Sequence, residues 1–173
     1  MEPISSNKII QGFWLGQSLS KLEQLSISSY LINGHEFQLY CYDIIKSLPD
    51  GTIVKDANEI IEKKYLFTDQ QGSIAPFADW FRYKLLYMKG GCWVDLDTVC
   101  LKYFDFLGDH CFSSEIDVIQ NTKSIINNTY VKVIKGDDFL LDCLNYIQLR
   151  GINGLRWAEF GPQLLGKVLR NCQ

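Results

Sequence analysis

The chain has 173 residues, 47% of them hydrophobic, 13% aromatic and 21% charged, which suits one domain around a single core and excludes a disordered chain. Its net charge of −3 and pI near 5.4 exclude a general nucleic-acid binder, which needs a basic face to neutralise phosphates. No apolar run approaches the roughly 18 residues of a membrane span, and MEPISSNKII lacks the charged and apolar regions of a signal peptide, so the expectation is a cytoplasmic protein with no transmembrane segment.

In chain order, KIIQGFW (Lys8 to Trp14) is a short β-rich run ended near Gly16. Leu19, Leu22, Leu25 and Ser29 then recur at helical spacing until Asn33 and Gly34 stop the helix. EFQLYCYD alternates Phe37, Leu39 and Cys41 against Gln38, Tyr40 and Tyr42 and predicts a second strand ending at Asp43. Strand, helix, strand predicts a right-handed βαβ unit. A short strand at TIVK and a polar loop TDQQGS precede Pro76, a residue at home in a first helical turn. FADWFRYKLLYMKGG is helical, with Ala78, Phe81, Leu85 and Met88 on one face and Gly90 and Gly91 as its stop. CWVDLDTVCL reads as a strand, as do HCFSSE and TYVKVI, while DDFLLDCLNYI and GPQLLGKVLRN read as helices. The alternation predicts an α/β domain, with a mostly parallel central sheet flanked by helices, over 1–173.

Six cysteines, at 41, 92, 100, 111, 143 and 172, form no CxxC pair and read as reduced core residues. The sequon at Asn127 to Thr129 is put down to chance. His35 and His110 have no nucleophile motif beside them and read as structural; neither GxGxxG nor a GK[ST] loop occurs. Phosphate binding must then rest on a metal and an arginine.

The chemistry gathers in ADWFRYKLLYMKGGCWVDLD. On a strand, Trp93, Asp95 and Asp97 share one face while Val94 and Leu96 take the other. Two carboxylates so placed repel each other unless a cation stands beside them. An oxygen-only ligand pair selects a hard cation, Mg²⁺ or Mn²⁺, which completes its shell with water and phosphate oxygens. Asp79 and Arg82, at i and i+3 of the preceding helix, are brought back against the strand by the glycine turn. The plainer alternatives are a solvated strand end and a surface ion pair worth under about 1 kcal/mol. An EF-hand is excluded, since neither its glycine nor its terminal glutamate follows Asp95.

This block resembles the A-D-x-x-R-x-x-x-L-x-x-x-G-G-x-[YW]-x-D-x-D pattern of the sugar-binding-region family of DXD glycosyltransferases, which includes capsular and α-glycosyl transferases and the glucosylating clostridial toxins. KIIQGFWLG, YCYD and WAEFGPQLL are similar to further segments of that family. The resemblance implies a GT-A fold and transfer of a sugar (a hexosyltransferase) from a nucleotide-sugar donor, UDP-sugar ahead of GDP-sugar by family weight, to a glycan or surface-polysaccharide acceptor, with retention and with Mn²⁺ or Mg²⁺ on the diphosphate. It also implies that Trp14 stacks on the base, that Asp79 and Arg82 hold the sugar and phosphate region, and that Trp93 lies beside the nucleotide. Asp95 would touch ribose and metal, and Asp97 would be the main metal ligand. Gln11 departs from the histidine of many relatives. An inverting enzyme would need a base, for which Asp137, Asp138 and Glu159 are candidates, each also readable as a helix-start or surface acid. Relatives commonly run past the G-P-x-L-L helix, so a C-terminal extension is expected to be lacking. The alternatives are a haloacid-dehalogenase-like Mg²⁺-dependent phosphatase, built on VDLDTV with Ser113 or Ser114, and a non-catalytic sugar-nucleotide-binding domain.

Overall fold

The computed structural model describes residues 7–116, 124–156 and 158–171; Cys172 and Trp157 lie outside them. Six strands, β1 (Ile9–Trp14), β2 (Glu36–Cys41), β3 (Ile53–Asp56), β4 (Gly91–Val94), β5 (Cys111–Ile116) and β6 (Ser124–Val133), form one sheet in the order β3-β2-β1-β4-β6-β5. The first four run parallel; β6 lies antiparallel to both β4 and β5. The expectation of an α/β fold with a mostly parallel sheet holds.

Four helices cover the sheet: α1 (Lys21–Ile32), α2 (Ala75–Lys89), α3 (Asp138–Arg150) and α4 (Pro162–Asn171). Alternation along β1 sends Phe13 into one core with Phe77, Phe81, Phe139 and Leu165 from α2, α3 and α4, while Ile10 enters a second core with Ile27 and Tyr30 of α1. The sheet is therefore buried on both faces, as a parallel sheet requires. Both sides of β2 are covered accordingly: Phe37, Leu39 and Cys41 pack in the second core and Tyr40 in the first. The strand stops at Cys41 rather than Asp43.

The structure buries Leu19 and Ser29 as expected and corrects the sequence reading at Leu22 and Leu25 of α1. Leu22 and Leu25 are exposed, whereas Ser26, Ile27, Ser29 and Tyr30 are buried. A repeat of three residues drifts around a 3.6-residue helix, so leucines three apart do not define one face. Both serines are small, and Ser29 is satisfied: its Oγ donates to Ser26 O at 2.6 Å and accepts from Cys100 N at 2.8 Å, which lets the helix lie close to the chain beyond β4. Ser20 and Glu23 close a capping box at its start.

Helix α2 ends where Gly90 takes φ 68°, and a Cβ there would stand 2.7 Å from Lys135 N, so only glycine fits both the backbone and the space. Cys41, Cys92, Cys100 and Cys143 are buried and Cys111 is half-buried, as core residues should be. No described helix is long and apolar enough to cross a membrane.

His35 is structural, as expected. It is 4% exposed, its Nδ1 lies 2.9 Å from Asn7 O, and its Nε2 accepts from Phe104 N at 3.1 Å. That pattern fixes a neutral ring with its proton on Nδ1. Burial lowers the ring's pKa below the ordinary 6.5. A depressed folded value means the unfolded chain takes up the proton first, so the stabilisation is complete above the unfolded pKa and is lost as pH falls towards the folded one, at about 1.4 kcal/mol per unit of depression. Melting followed from pH 8 to pH 5 should show the wild type losing stability on acidification and His35→Gln, less stable at pH 8, following a flatter curve. Parallel curves would remove His35 from the account.

Candidate active site

Chain order places β2 and β3 on one side of β1 and β4 on the other, so the sheet reverses its winding between β1 and β4. Their carboxyl ends open into a cleft of 490 Å³ lined by Trp14, Asp79, Arg82, Trp93, Asp95 and Asp97 together with Glu23, Asn128, Ala158 and Pro162. Ligands of open α/β sheets bind at such a switch point, outside the carboxyl ends of the strands. All six residues picked out in the sequence meet there.

The strand that delivers the aspartates is shorter than expected. β4 ends at Val94, and Leu96 and Asp97 lie in a turn closed by Thr98 N donating to Asp95 O at 3.3 Å. Antiparallel pairing with β6 carries on through Asp95 N, which donates to Thr129 O at 2.9 Å, and then stops. The expected alternation survives this shortening: Val94 and Leu96 both enter the second core, while Trp93 lies in the first. Asp97 is exposed at the rim.

Arg82 organises the floor. Its side chain is 4% exposed; Nη1 donates to Asp79 Oδ1 at 2.8 Å and Nη2 to Asp95 Oδ1 at 2.6 Å. Its guanidinium carbon lies 4.9 Å from the Trp93 ring centroid, and Trp93 Nε1 also donates to Asp95 Oδ1, at 2.8 Å. The pair is thus a buried bridge between two carboxylates, not the surface ion pair of the plainer reading. Burial works against the Arg82 charge, but the carboxylates of Asp95 and Asp79 outweigh it and hold the guanidinium above its ordinary pKa. Burial raises the Asp79 carboxyl even with Arg82 beside it.

Trp14, at the end of β1, is half-buried, and its indole N–H donates to Ser18 O at 3.0 Å. Trp14 also lines the cleft. Gln11 points elsewhere: it is 2% exposed and Nε2 donates to Gly90 O at 2.8 Å, fastening β1 to the turn before β4.

The three candidate bases stand outside the cleft lining. Asp137 caps α3 through Phe139 N at 3.0 Å and pairs with His110, and Asp138 opens the same helix. Glu159 is held below its ordinary pKa by the Arg156 backbone N–H at 3.0 Å and by Arg150 Nε at 2.6 Å.

The sequence reading missed Asn128 and Gly161. Asn128 is buried, and its Nδ2 donates to Asp79 Oδ1 at 2.7 Å. A Cβ on Gly161 would lie 2.9 Å from Asp79 Oδ2. The available signals were the polar pair Asn127–Asn128 inside the apolar run of β6 and the glycine of GPQLL.

The family model for glycosyltransferase sugar-binding regions containing a DXD motif matches residues 22–113. The chain belongs to this family. The match takes in Asp79, Arg82, Trp93, Asp95 and Asp97 of the DXD glycosyltransferase but stops short of Trp14, Asn128 and Gly161. Among solved structures, the PaToxG glycosyltransferase superposes with a TM-score of 0.66 at 18% identity over 95% of this chain and 69% of the other. A transferase solved as a double cysteine-to-serine mutant gives a TM-score of 0.58 at 10% identity, over 98% of this chain and 86% of the other. These likenesses confirm the GT-A type fold. No curated protein matches the chain. Membership of a glycosyltransferase family sets the phosphatase reading aside.

Proposed function

We propose that the domain, residues 1–173, moves a hexose from a nucleotide-sugar donor to a glycan or polysaccharide hydroxyl, with UDP ahead of GDP as the nucleotide and Mn²⁺ or Mg²⁺ on the diphosphate. One observation carries the metal: the cleft lining holds four carboxylates, Glu23, Asp79, Asp95 and Asp97, against one guanidinium. That guanidinium is already committed to Asp79 and Asp95. A diphosphate entering this field is repelled unless a divalent cation enters with it.

The residues present fit such a cation. Oδ1 of Asp95 is occupied by Arg82 and Trp93, which leaves Oδ2, and Asp97 stands exposed beside it. Two carboxylates are a weak site alone, and among the described residues no group of three or more His, Cys, Asp or Glu could hold a metal. A hard cation that keeps several waters and shares its shell with substrate phosphates suits that ligand count. Bound there, it would offset the negative charge that grows on the nucleoside diphosphate as the bond from C1 to the phosphate oxygen breaks. Arg82 serves as the residue that sets Asp95 and keeps positive charge beneath it, and Trp14 offers its ring to the base. The acceptor oxygen bonds C1 as the bond from C1 to the phosphate oxygen breaks, and its proton passes to the leaving diphosphate. Retention of configuration is proposed from the family resemblance.

Isothermal titration of UDP and GDP with Mn²⁺ and with EDTA tests the reading. Nucleotide binding that requires the cation, with Mn²⁺ alone binding weakly, supports it. No binding of either nucleotide with Mn²⁺ sinks it. Sugar release from a UDP-sugar separates an enzyme from a domain that only binds.

A further inference from the structure

Asp79 is the deepest carboxylate of the cleft, and its two oxygens have different surroundings. Oδ1 accepts from Arg82 Nη1 at 2.8 Å and from Asn128 Nδ2 at 2.7 Å. Oδ2 has neither donor; it faces Gly161, where a Cβ would stand 2.9 Å away and also 3.3 Å from Asn128 Nδ2. Asn128 comes from β6 and Gly161 from the start of α4, so three separate elements meet at one carboxylate.

The approach of the Gly161 segment is itself fixed. Tyr83 of α2 is fully buried and its hydroxyl donates to Phe160 O at 2.8 Å. Ala158, which lines the cleft, takes φ 60°, a conformation costly for a residue with a side chain. A chain clamped this firmly brings the Gly161 backbone close against Asp79, where a larger residue would collide with Oδ2.

We propose that Asn128 is a positioning residue: its amide pins Asp79 Oδ1 against Arg82, so that Oδ2 alone is turned to the cleft as the acceptor for a hydroxyl of the transferred sugar. This rests on the reading of the cleft as a nucleotide-sugar site. A neutral donor suits the position, because a lysine would neutralise the carboxylate and a second acid would repel it. Oδ1 with two donors is saturated for recognition, and Oδ2 can take a hydroxyl proton at about 2.7 Å. The nucleotide itself, bound at Trp14 and the metal aspartates, does not depend on Asn128.

The test compares UDP with UDP-glucose, UDP-galactose and UDP-N-acetylglucosamine by calorimetry in Mn²⁺, on wild type, Asn128→Ala and Asn128→Asp. For the UDP-sugar that the wild type binds most tightly, Asn128→Ala should lose about tenfold in affinity while UDP stays within about twofold. Asn128→Asp should show the same loss at neutral pH and recover as pH falls, when one shared proton restores the hydrogen bond. A loss equal for UDP and UDP-sugar, or none for either, overturns the proposal. If the wild type binds no nucleotide, the functional reading has failed by itself and a ligand-free arm decides the contact. Asn128→Asp places a carboxyl against Asp79, so its folded pKa lies above its unfolded one, and its melting temperature should drop away from wild type as pH rises from 4 to 7. Melting curves that stay parallel across that range overturn the proposal as well.

Discussion

Asp97→Ala is expected to abolish Mn²⁺-dependent UDP binding, by at least a hundredfold, while leaving the melting temperature within about 2 °C of wild type. The two halves of that expectation come from different facts. Asp97 is exposed in the turn after β4 and makes no hydrogen bond or ion pair with the described residues, so its removal falls among surface changes worth about ±0.5 kcal/mol. In the proposed site its carboxylate would supply half of a two-carboxylate metal site, and a hard cation with so few protein ligands would not survive losing one. Charge gives the experiment a second sign. In EDTA the same variant should bind UDP no worse than wild type, and slightly better, because one of four repelling carboxylates has gone. Asp95→Ala makes the contrast: it also strips Arg82 and Trp93 of a shared acceptor and should lower both binding and melting temperature. UDP binding that Asp97→Ala leaves unchanged in Mn²⁺ would remove Asp97 from the metal site.

Those two aspartates also mark where the sequence was legible and where it was not. The helix before the glycine pair, the strand after it and the meeting of Asp79 with Arg82 follow from local rules: apolar spacing, a stop that only glycine fits, and alternation along a strand. Local rules did not give the length of β4, because its end at Val94 is set by where β6 stops pairing with it, a partner 36 residues later. They misplaced Leu22 and Leu25 of α1 because a three-residue repeat drifts around the helix, while Ser29 of the same stripe is buried with Cys100 N donating to its Oγ. Asn128 and Gly161 left a signal in the chain, a polar pair in β6 and the glycine of GPQLL, but not their purpose. Their meaning lies in a carboxylate contributed by α2, and nothing near them in the chain points to it. Pattern finds residues that act through their neighbours in sequence; it does not find those that act through neighbours in space.

Arg82→Met should destabilise the fold by about 3–5 kcal/mol at pH 7, the usual cost of leaving a buried carboxylate without its cation. For a domain of this size that lowers the melting temperature by roughly 10 °C. Methionine keeps most of the volume but not the guanidinium that lies over the Trp93 ring, so the loss reports charge, the cation–π contact included, rather than a cavity. The pH dependence fixes the cause. Burial already raises the Asp79 carboxyl in the presence of Arg82, and removing the guanidinium raises it further. A carboxyl whose folded pKa lies above its unfolded value destabilises the fold fully above the folded pKa and not at all once both states are protonated. The variant should therefore approach wild-type stability as pH falls from 7 towards 4. Asp79→Asn in the Arg82→Met background should recover part of the loss at pH 7, since an amide oxygen can still accept from Asn128 Nδ2 and no charge remains to be neutralised. Additive losses from the two substitutions, with no convergence at low pH, would mean that the bridge between α2 and the end of β4 contributes little to the fold. The role of Arg82 would then have to lie wholly with the ligand.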